Sequence, residues 1–218
     1  DPDAVARALD RDAPWAVVNA AGFSRVRAAE RAPERCRRDN ALGAAVLARA
    51  CAERGVALVT FSSHLVFDGA ARAPYVESAE ALPLGVYGRS KADAERWVSA
   101  ALPEALVIRS SAFFDDAEDG VLSRALRALA RGDLVELRRD RALSPTYLPD
   151  LVHAALELLV DRAGGTFHLV NEGAVSPFDF VKRAAAERGA SDRTLREARA
   201  SEPIVPVYSV LGSERGAL

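Results

Sequence analysis

At 218 residues the chain has room for one large α/β domain, or for one domain with a small appended lobe. Half of its residues are hydrophobic, and a net charge of -2 with a pI near 6.0 gives no electrostatic reason to expect nucleic acid or an anionic membrane as partner. No apolar run approaches the ~20 residues of a membrane span and no signal peptide opens the chain, so a cytoplasmic protein is expected.

The elements alternate in period along the chain. Asp1-Pro2-Asp3 looks like a helix start, with Asp1 or Asp3 as cap, and Val5 and Leu9 at spacing four predict a helix over 2–12. Residues 15–21 predict a buried strand ending in small residues, and 33–54 one long helix that stops at Gly55. A continuous apolar strand follows at 56–62, a helix from Tyr87 to about Leu102, and a third strand at 105–110. Helical patterns near 120–131, 149–161 and 177–188 then interleave with strand-like pieces at 134–137 and 166–170. Apolar strands alternating with helices predict an α/β fold with a doubly wound parallel sheet.

Such sheets place ligands beyond the carboxyl ends of their strands. Here those ends read Asn19-Ala20-Ala21-Gly22, Ser62-Ser63-His64 and Arg109-Ser110-Ser111, small or hydroxylic residues that leave room for a ligand and offer it hydrogen bonds. Cys36 and Cys51 are expected to be structural thiols in a reducing compartment. No His, Cys, Asp or Glu set has metal-site spacing, so no metal is expected.

The strongest chemical signal is Tyr87-Gly88-Arg89-Ser90-Lys91. Positions four apart lie on one helix face, so Tyr87 and Lys91 can converge. A nearby ammonium stabilises a phenolate and is expected to move the phenol's pKa toward working pH, making Tyr87 a general acid toward a carbonyl. Ser63, at a strand end 24 residues earlier, would polarise the same carbonyl. His64 has two readings, a proton relay to Tyr87 titrating near neutral pH or a polar strand-end residue bonded to backbone. Structural roles are expected for His153 and His168, a turn at Asp68-Gly69, and a capping or pairing role for Glu77 near the following loop.

Taken in order, Val18-Asn19-Ala20-Ala21-Gly22-Phe23-Ser24, Asp39-Asn40-Ala41, Ser62 through Gly69, Pro74-Tyr75-Val76-Glu77, Pro83 through Lys91 and Ser144-Pro145-Thr146-Tyr147 resemble the dTDP-4-dehydrorhamnose reductase family of extended short-chain dehydrogenases. The resemblance runs across nearly the whole chain. It implies a Rossmann-like fold with a small C-terminal substrate lobe, NADPH or NADH as hydride donor, and reduction of a 4-keto sugar attached to a nucleotide. Residues 1–111 would then be the remainder of the dinucleotide-binding domain, and 112–218 the substrate lobe interleaved with the last sheet elements. By position it implies Ser63, Tyr87 and Lys91 as catalytic residues, with Lys91 also on the nicotinamide ribose. Asn40 would support Lys91 through a water. Ala20, Ala21, Phe23, Ser24, Ser62, Ser110 and Ser111 would lie along the cofactor. His64, Leu65, Ala112 and Thr146 fall at substrate-side positions.

The sequence departs from the family pattern in two places. The family's glycine-rich phosphate turn follows its first strand, and nothing precedes Asp1 here; exposed apolar strand edges are expected, with a completing N-terminal segment, another chain or a homodimer as partner. On the substrate side, His64 and Leu65 replace Asp-Tyr, Ala112 replaces an aromatic residue, and Phe113 through Asp119 form an altered acidic loop. These changes leave open a non-catalytic sugar-nucleotide-binding or regulatory module; an epimerase or dehydratase would share the Tyr and Lys, but Val66-Phe67-Asp68-Gly69 and Ser144-Pro145-Thr146-Tyr147 look more like the reductases.

Overall fold

The computed structural model describes residues 1–115, 117, 120–198 and 204–216. Helix α1 (Pro2–Asp12) starts where Asp1 accepts the Asp3 N–H at 3.0 Å, and β1 (Ala16–Asn19) follows it. A short α2 (Val26–Ala29) had no periodic signal. The long helix expected over 33–54 is three pieces: α3 (Pro33–Arg37), a π-helical turn (Arg38–Leu42) and α4 (Gly43–Ala52). The wider turn, in which the Gly43 N–H reaches back to the Arg38 carbonyl, carries Asn40 into the interior. Gly55, at φ 64, then ends the helix, with the Val56 N–H bonded to the Cys51 carbonyl at 3.0 Å.

The chain continues through β2 (Ala57–Phe61), a 3-10 turn (His64–Val66), α5 (Val86–Ala101) and β3 (Leu106–Arg109). It goes on through β4 (Phe113–Phe114), α6 (Val121–Ala130), β5 (Val135–Leu137), β6 (Ala142–Leu143) and β7 (Thr146–Tyr147). Last come α7 (Leu148–Val160), β8 (Gly165–His168), α8 (Pro177–Glu187), β9 (Leu195–Glu197) and β10 (Tyr208–Ser209). The main sheet is parallel, in the order β1-β2-β3-β8, with Ala16 beside Ala57, Val59 beside Leu106, and Leu106 beside Gly165.

Alternation along these strands wraps the sheet on both faces. Leu58 and Val107 pack under α1, α4 and α5, while Val59, Leu106 and Ile108 pack under α7. Each such fully buried aliphatic side chain stabilises the fold by roughly 1.5–3 kcal/mol. A separate cluster joins α6 and α8 through Leu122, Leu126, Phe178 and Val181, beside the β5–β9 pair.

Polar ties bind the later segments to the sheet. Buried Arg109 makes a two-pronged pair with Glu95, at 2.9 and 2.7 Å, and its third nitrogen donates to the Glu77 carbonyl. The Glu77 carboxylate accepts from the His168 N–H, the Ser213 hydroxyl and the Glu214 N–H, which reaches much further than the nearby loop expected for it. His168 is buried, its Nδ1 against the Gly212 carbonyl at 2.8 Å, and exposed His153 sits 3.1 Å from Glu157 one helical turn on. Asp68 accepts from the Ala70 N–H and the Tyr75 hydroxyl, closing the turn at Gly69.

Among the described residues no helix is long and apolar enough to cross a membrane, and no group of three His, Cys, Asp or Glu could hold a metal ion. Asp116, Glu118 and Asp119 of the acidic loop, and the terminal Ala217-Leu218, lie outside the described residues.

Candidate functional site

After β2 the backbone stays tied to the chain leaving β3: the Ser62 N–H donates to the Ile108 carbonyl and the His64 N–H to that of Ser110. This fixes Ser63, whose hydroxyl accepts the Leu65 N–H at 3.2 Å and caps the 3-10 turn. Helix α5 begins nearby, its Val86 N–H held by Glu30 at 2.6 Å. Gly88 lets that helix dock on the turn, because a Cβ there would lie 2.1 Å from the Leu65 carbonyl oxygen.

The docking brings together the three residues expected to act on a carbonyl. The Lys91 ammonium sits 5.9 Å from the centre of the Tyr87 ring and donates to the Phe61 carbonyl at 2.9 Å. The nearby Ser63 hydroxyl is the one influence that lowers the Tyr87 pKa. Burial outweighs it, with Cys36 acting in the same sense, and pushes the phenol up to about 12. The expected drop toward neutral pH is therefore not found. Burial also pushes the Lys91 ammonium down, against the pull of Cys36 and Glu95. Tyr87 is thus protonated throughout the neutral range, the form a proton donor requires.

Tyr87 and Lys91 face a cavity of about 360 Å³. Asn19, Ala20, Ala21, Gly22, Phe23 and Ser24 form one wall, Ser62 part of the floor, and Val152 and Leu156 of α7 the rim. Val18, Val152 and Leu156 are 48%, 46% and 48% exposed, so this side has the apolar edge that the sequence predicts. Asn40 shapes the wall from behind. Its Oδ1 accepts the Phe23 N–H at 2.7 Å, and its amide nitrogen donates to the Phe23 carbonyl and to Ser90 Oγ at 3.1 and 2.9 Å. These bonds run to the turn and to Ser90 rather than to Lys91. Gly22 is required at that wall, since a Cβ would meet Asn40 Oδ1 at 2.6 Å.

A dinucleotide's nicotinamide end suits these residues. The Ser62 hydroxyl is buried there with no hydrogen-bond partner among the described residues, and small Ala20, Ala21 and Gly22 leave space against the backbone. Ser110 and Ser111 are instead buried behind the turn, outside that lining. Thr146 is fully buried: its hydroxyl accepts the Ser111 N–H and its own N–H donates to the Ala112 carbonyl, so it holds backbone on both sides. Ala112 is exposed beside an apolar crevice with Phe113 and Phe114, and of these Phe113 also lines the Tyr87 cavity.

His64 and Leu65 line a second and larger cavity, about 960 Å³, on the far side of the turn. His64 Nδ1 is 2.7 Å from Ser209 Oγ, a side-chain partner 145 positions away and not the backbone. Burial, reinforced by Arg141, lowers its pKa to about 4. It is neutral at pH 7, which removes the relay titrating near neutrality. Three cavity arginines, Arg27, Arg31 and Arg141, carried no sequence signal, because only Lys91 and Lys182 are lysines among 29 basic residues and arginine is everywhere. Ser90 lay inside the Tyr-x-x-x-Lys motif and was readable as a third inward position one residue before Lys91.

Comparison with known proteins follows the same lines. A family model described as RmlD substrate binding domain matches residues 1–214. The chain is 35% identical over 208 residues to a dTDP-4-dehydrorhamnose reductase of Mycolicibacterium smegmatis, covering 92% of this chain and 64% of that protein. It is 36% identical over 212 residues to the enzyme of the same name from Mycobacterium tuberculosis, covering 93% of this chain and 70% of that one. The chain therefore spans roughly two thirds of the length of these relatives. Among solved structures, a dTDP-4-dehydrorhamnose reductase from Bacillus anthracis in complex with NADP superposes with a TM-score of 0.90 at 25% identity, over 97% of this chain and 75% of that one. With a matched model across nearly its whole length, relatives above one third identity and a superposable parallel sheet, this chain belongs to the RmlD substrate binding domain family.

Proposed function

We propose that this chain carries the catalytic and substrate side of an NAD(P)H-dependent reductase acting on a nucleotide-linked 4-keto sugar. The carrying observation is the convergence of Ser63, Tyr87 and Lys91 beside a cavity whose floor holds the unpartnered Ser62 hydroxyl. Residues 19–24, Ser62 and Lys91 would hold the nicotinamide end, and residues from both 1–111 and 112–218 would supply the substrate side. The apolar rim at Val18, Val152 and Leu156 is exposed and would border the bound dinucleotide.

When bound, the reduced nicotinamide supplies a hydride to the carbonyl carbon. The remaining demands fall on this chain. Ser63 donates a hydrogen bond to the carbonyl oxygen, polarising it. Tyr87 gives that oxygen its proton; the alkoxide being formed is a stronger base than a phenolate, so the transfer runs downhill even from a phenol near 12. Lys91 then balances the phenolate's charge across a short, partly desolvated gap. Asn40 keeps the Gly22–Phe23 wall at a fixed distance from Lys91.

The test is to titrate NADPH and NADH separately, then to assay turnover of a 4-keto sugar nucleotide by wild type and Tyr87→Phe. Micromolar binding with turnover that falls at least about a hundredfold in the variant is expected. Normal turnover by Tyr87→Phe would refute the role given to the phenol. A folded chain that binds neither dinucleotide would leave the non-catalytic binding module as the better reading.

A further inference from the structure

We propose that Arg109 and Glu95 are positioning residues for the reduction: their buried ion pair sets how far the Tyr87 phenol on α5 stands from the Ser63 hydroxyl on the turn after β2. The inference rests on the reductase reading above and names what aligns its reacting groups.

The placement of Arg109 carries the argument. It closes β3, and its two chain neighbours hold the Ser63 turn: the Ile108 carbonyl takes the Ser62 N–H at 2.7 Å and the Ser110 carbonyl takes the His64 N–H at 2.8 Å. Its side chain reaches the other partner. Nε and one terminal nitrogen donate to the two Glu95 oxygens, and Glu95 lies on α5 one helical turn beyond Lys91 and two beyond Tyr87. One residue therefore ties the turn that carries Ser63 to the helix that carries the phenol and the ammonium. The guanidinium is itself held on its remaining sides. Its other terminal nitrogen lies 3.2 Å from the Glu77 carbonyl and 3.3 Å from His168 Nε2, and its central carbon lies 5.1 Å from the centre of the Phe67 ring. The Glu77 carboxylate is engaged by the His168 N–H, Ser213 and Glu214, so Glu95 is the one carboxylate paired with Arg109 among the described residues.

Energetics separate positioning from stability. Both side chains are buried. Stripping water from two such charges offsets their attraction, and an apolar pair of similar volume often holds a site equally well. Helix α5 already packs on the core through Ala94 and Val98. Those apolar contacts fix its depth but not its register, whereas a guanidinium fork on a carboxylate fixes direction as well as distance. A slip of α5 by one residue would shift the phenol by about 1.5 Å and turn it by about 100°. Misplacing a reacting group by about 1 Å costs on the order of a hundredfold in rate.

The test is the double variant Glu95→Leu/Arg109→Met in the intact protein, which removes both charges and keeps the space filled. Its melting temperature is expected to equal or exceed that of wild type, while kcat falls at least about tenfold with KM and dinucleotide affinity held within about twofold. Glu95→Asp keeps the charge and shortens its reach by one methylene; a severalfold loss of kcat is expected, and this variant decides if the double variant does not fold. A ligand-free readout accompanies both. The NMR resonance of the Tyr87 ring carbon that bears the hydroxyl, assigned by its loss in Tyr87→Phe, is expected to move in each. Wild-type kcat in a folded variant, a fall in kcat matched by an equal rise in KM, or an unmoved Tyr87 resonance would overturn the proposal. A moved resonance in a protein that turns over no 4-keto sugar nucleotide would retain the ion pair's hold on Tyr87 and remove the reductase reading.

Discussion

The two cavities on either side of the Ser62–Leu65 turn are built by opposite means. The one facing Tyr87 is small, walled by backbone and short side chains, and tuned by desolvation: burial, with Cys36 in the same sense, drives the Tyr87 phenol up, and burial drives the Lys91 ammonium down. The one facing His64 is more than twice as large and is defined by long cationic side chains with few counter-charges. The first gathers one phenol and one ammonium among apolar and small side chains, and the second gathers three arginines with Glu30 and His64.

Four experiments would break or sharpen that contrast, and the largest effect is expected at the phenol. Tyr87→Phe should lower kcat by about 10²–10⁴-fold; an unchanged kcat would remove the phenol from the reaction. His64 comes next. Its folded pKa of about 4 lies below the unfolded value of 6.5, so the unfolded chain binds the extra proton between those values. Its contribution is whole above pH 6.5 and is lost as pH falls from 6.5 to 4, by at most about 3 kcal/mol. Urea unfolding at pH 7 and pH 5 should show a smaller pH difference in His64→Asn than in wild type; equal differences would show that the ring is not buried neutral.

The third effect is structural and confined to the phenol side. Asn40→Ala removes the bonds to both polar groups of the Phe23 backbone and to Ser90, and should destabilise by about 2 kcal/mol in a urea titration. It should also weaken dinucleotide binding. The smallest effect is expected for Ser62→Ala. Its hydroxyl has no partner among the described residues, so thermal stability should hold or rise by under about 1 kcal/mol, with dinucleotide affinity falling instead. Lost stability without lost affinity would make Ser62 an ordinary core residue.

The two sides also differ in how far they could be read from residues alone. The sheet was legible because its strands are unbroken apolar runs, and α5 because Tyr87 and Lys91, four residues apart, announce a helix with one reactive face. Burial was not legible, and it reversed the expected shift of Tyr87, since spacing places an ammonium near a phenol without saying how much water surrounds them. The π-helical turn at Arg38–Leu42 carries no periodic mark; it showed only as one long helix. The second cavity was almost wholly hidden. Its wall depends on two-residue strands, β6 with β10, that pair across 66 positions, and on three arginines no different in sequence from those exposed to solvent.

Gly88 gives the shared wall its mechanical character. Only a hydrogen atom separates helix α5 from the Leu65 carbonyl, and no flexible side chain lies between them to yield. Replacing Gly88 by alanine would therefore have to move either the helix that carries Tyr87 and Lys91 or the turn that carries Ser63.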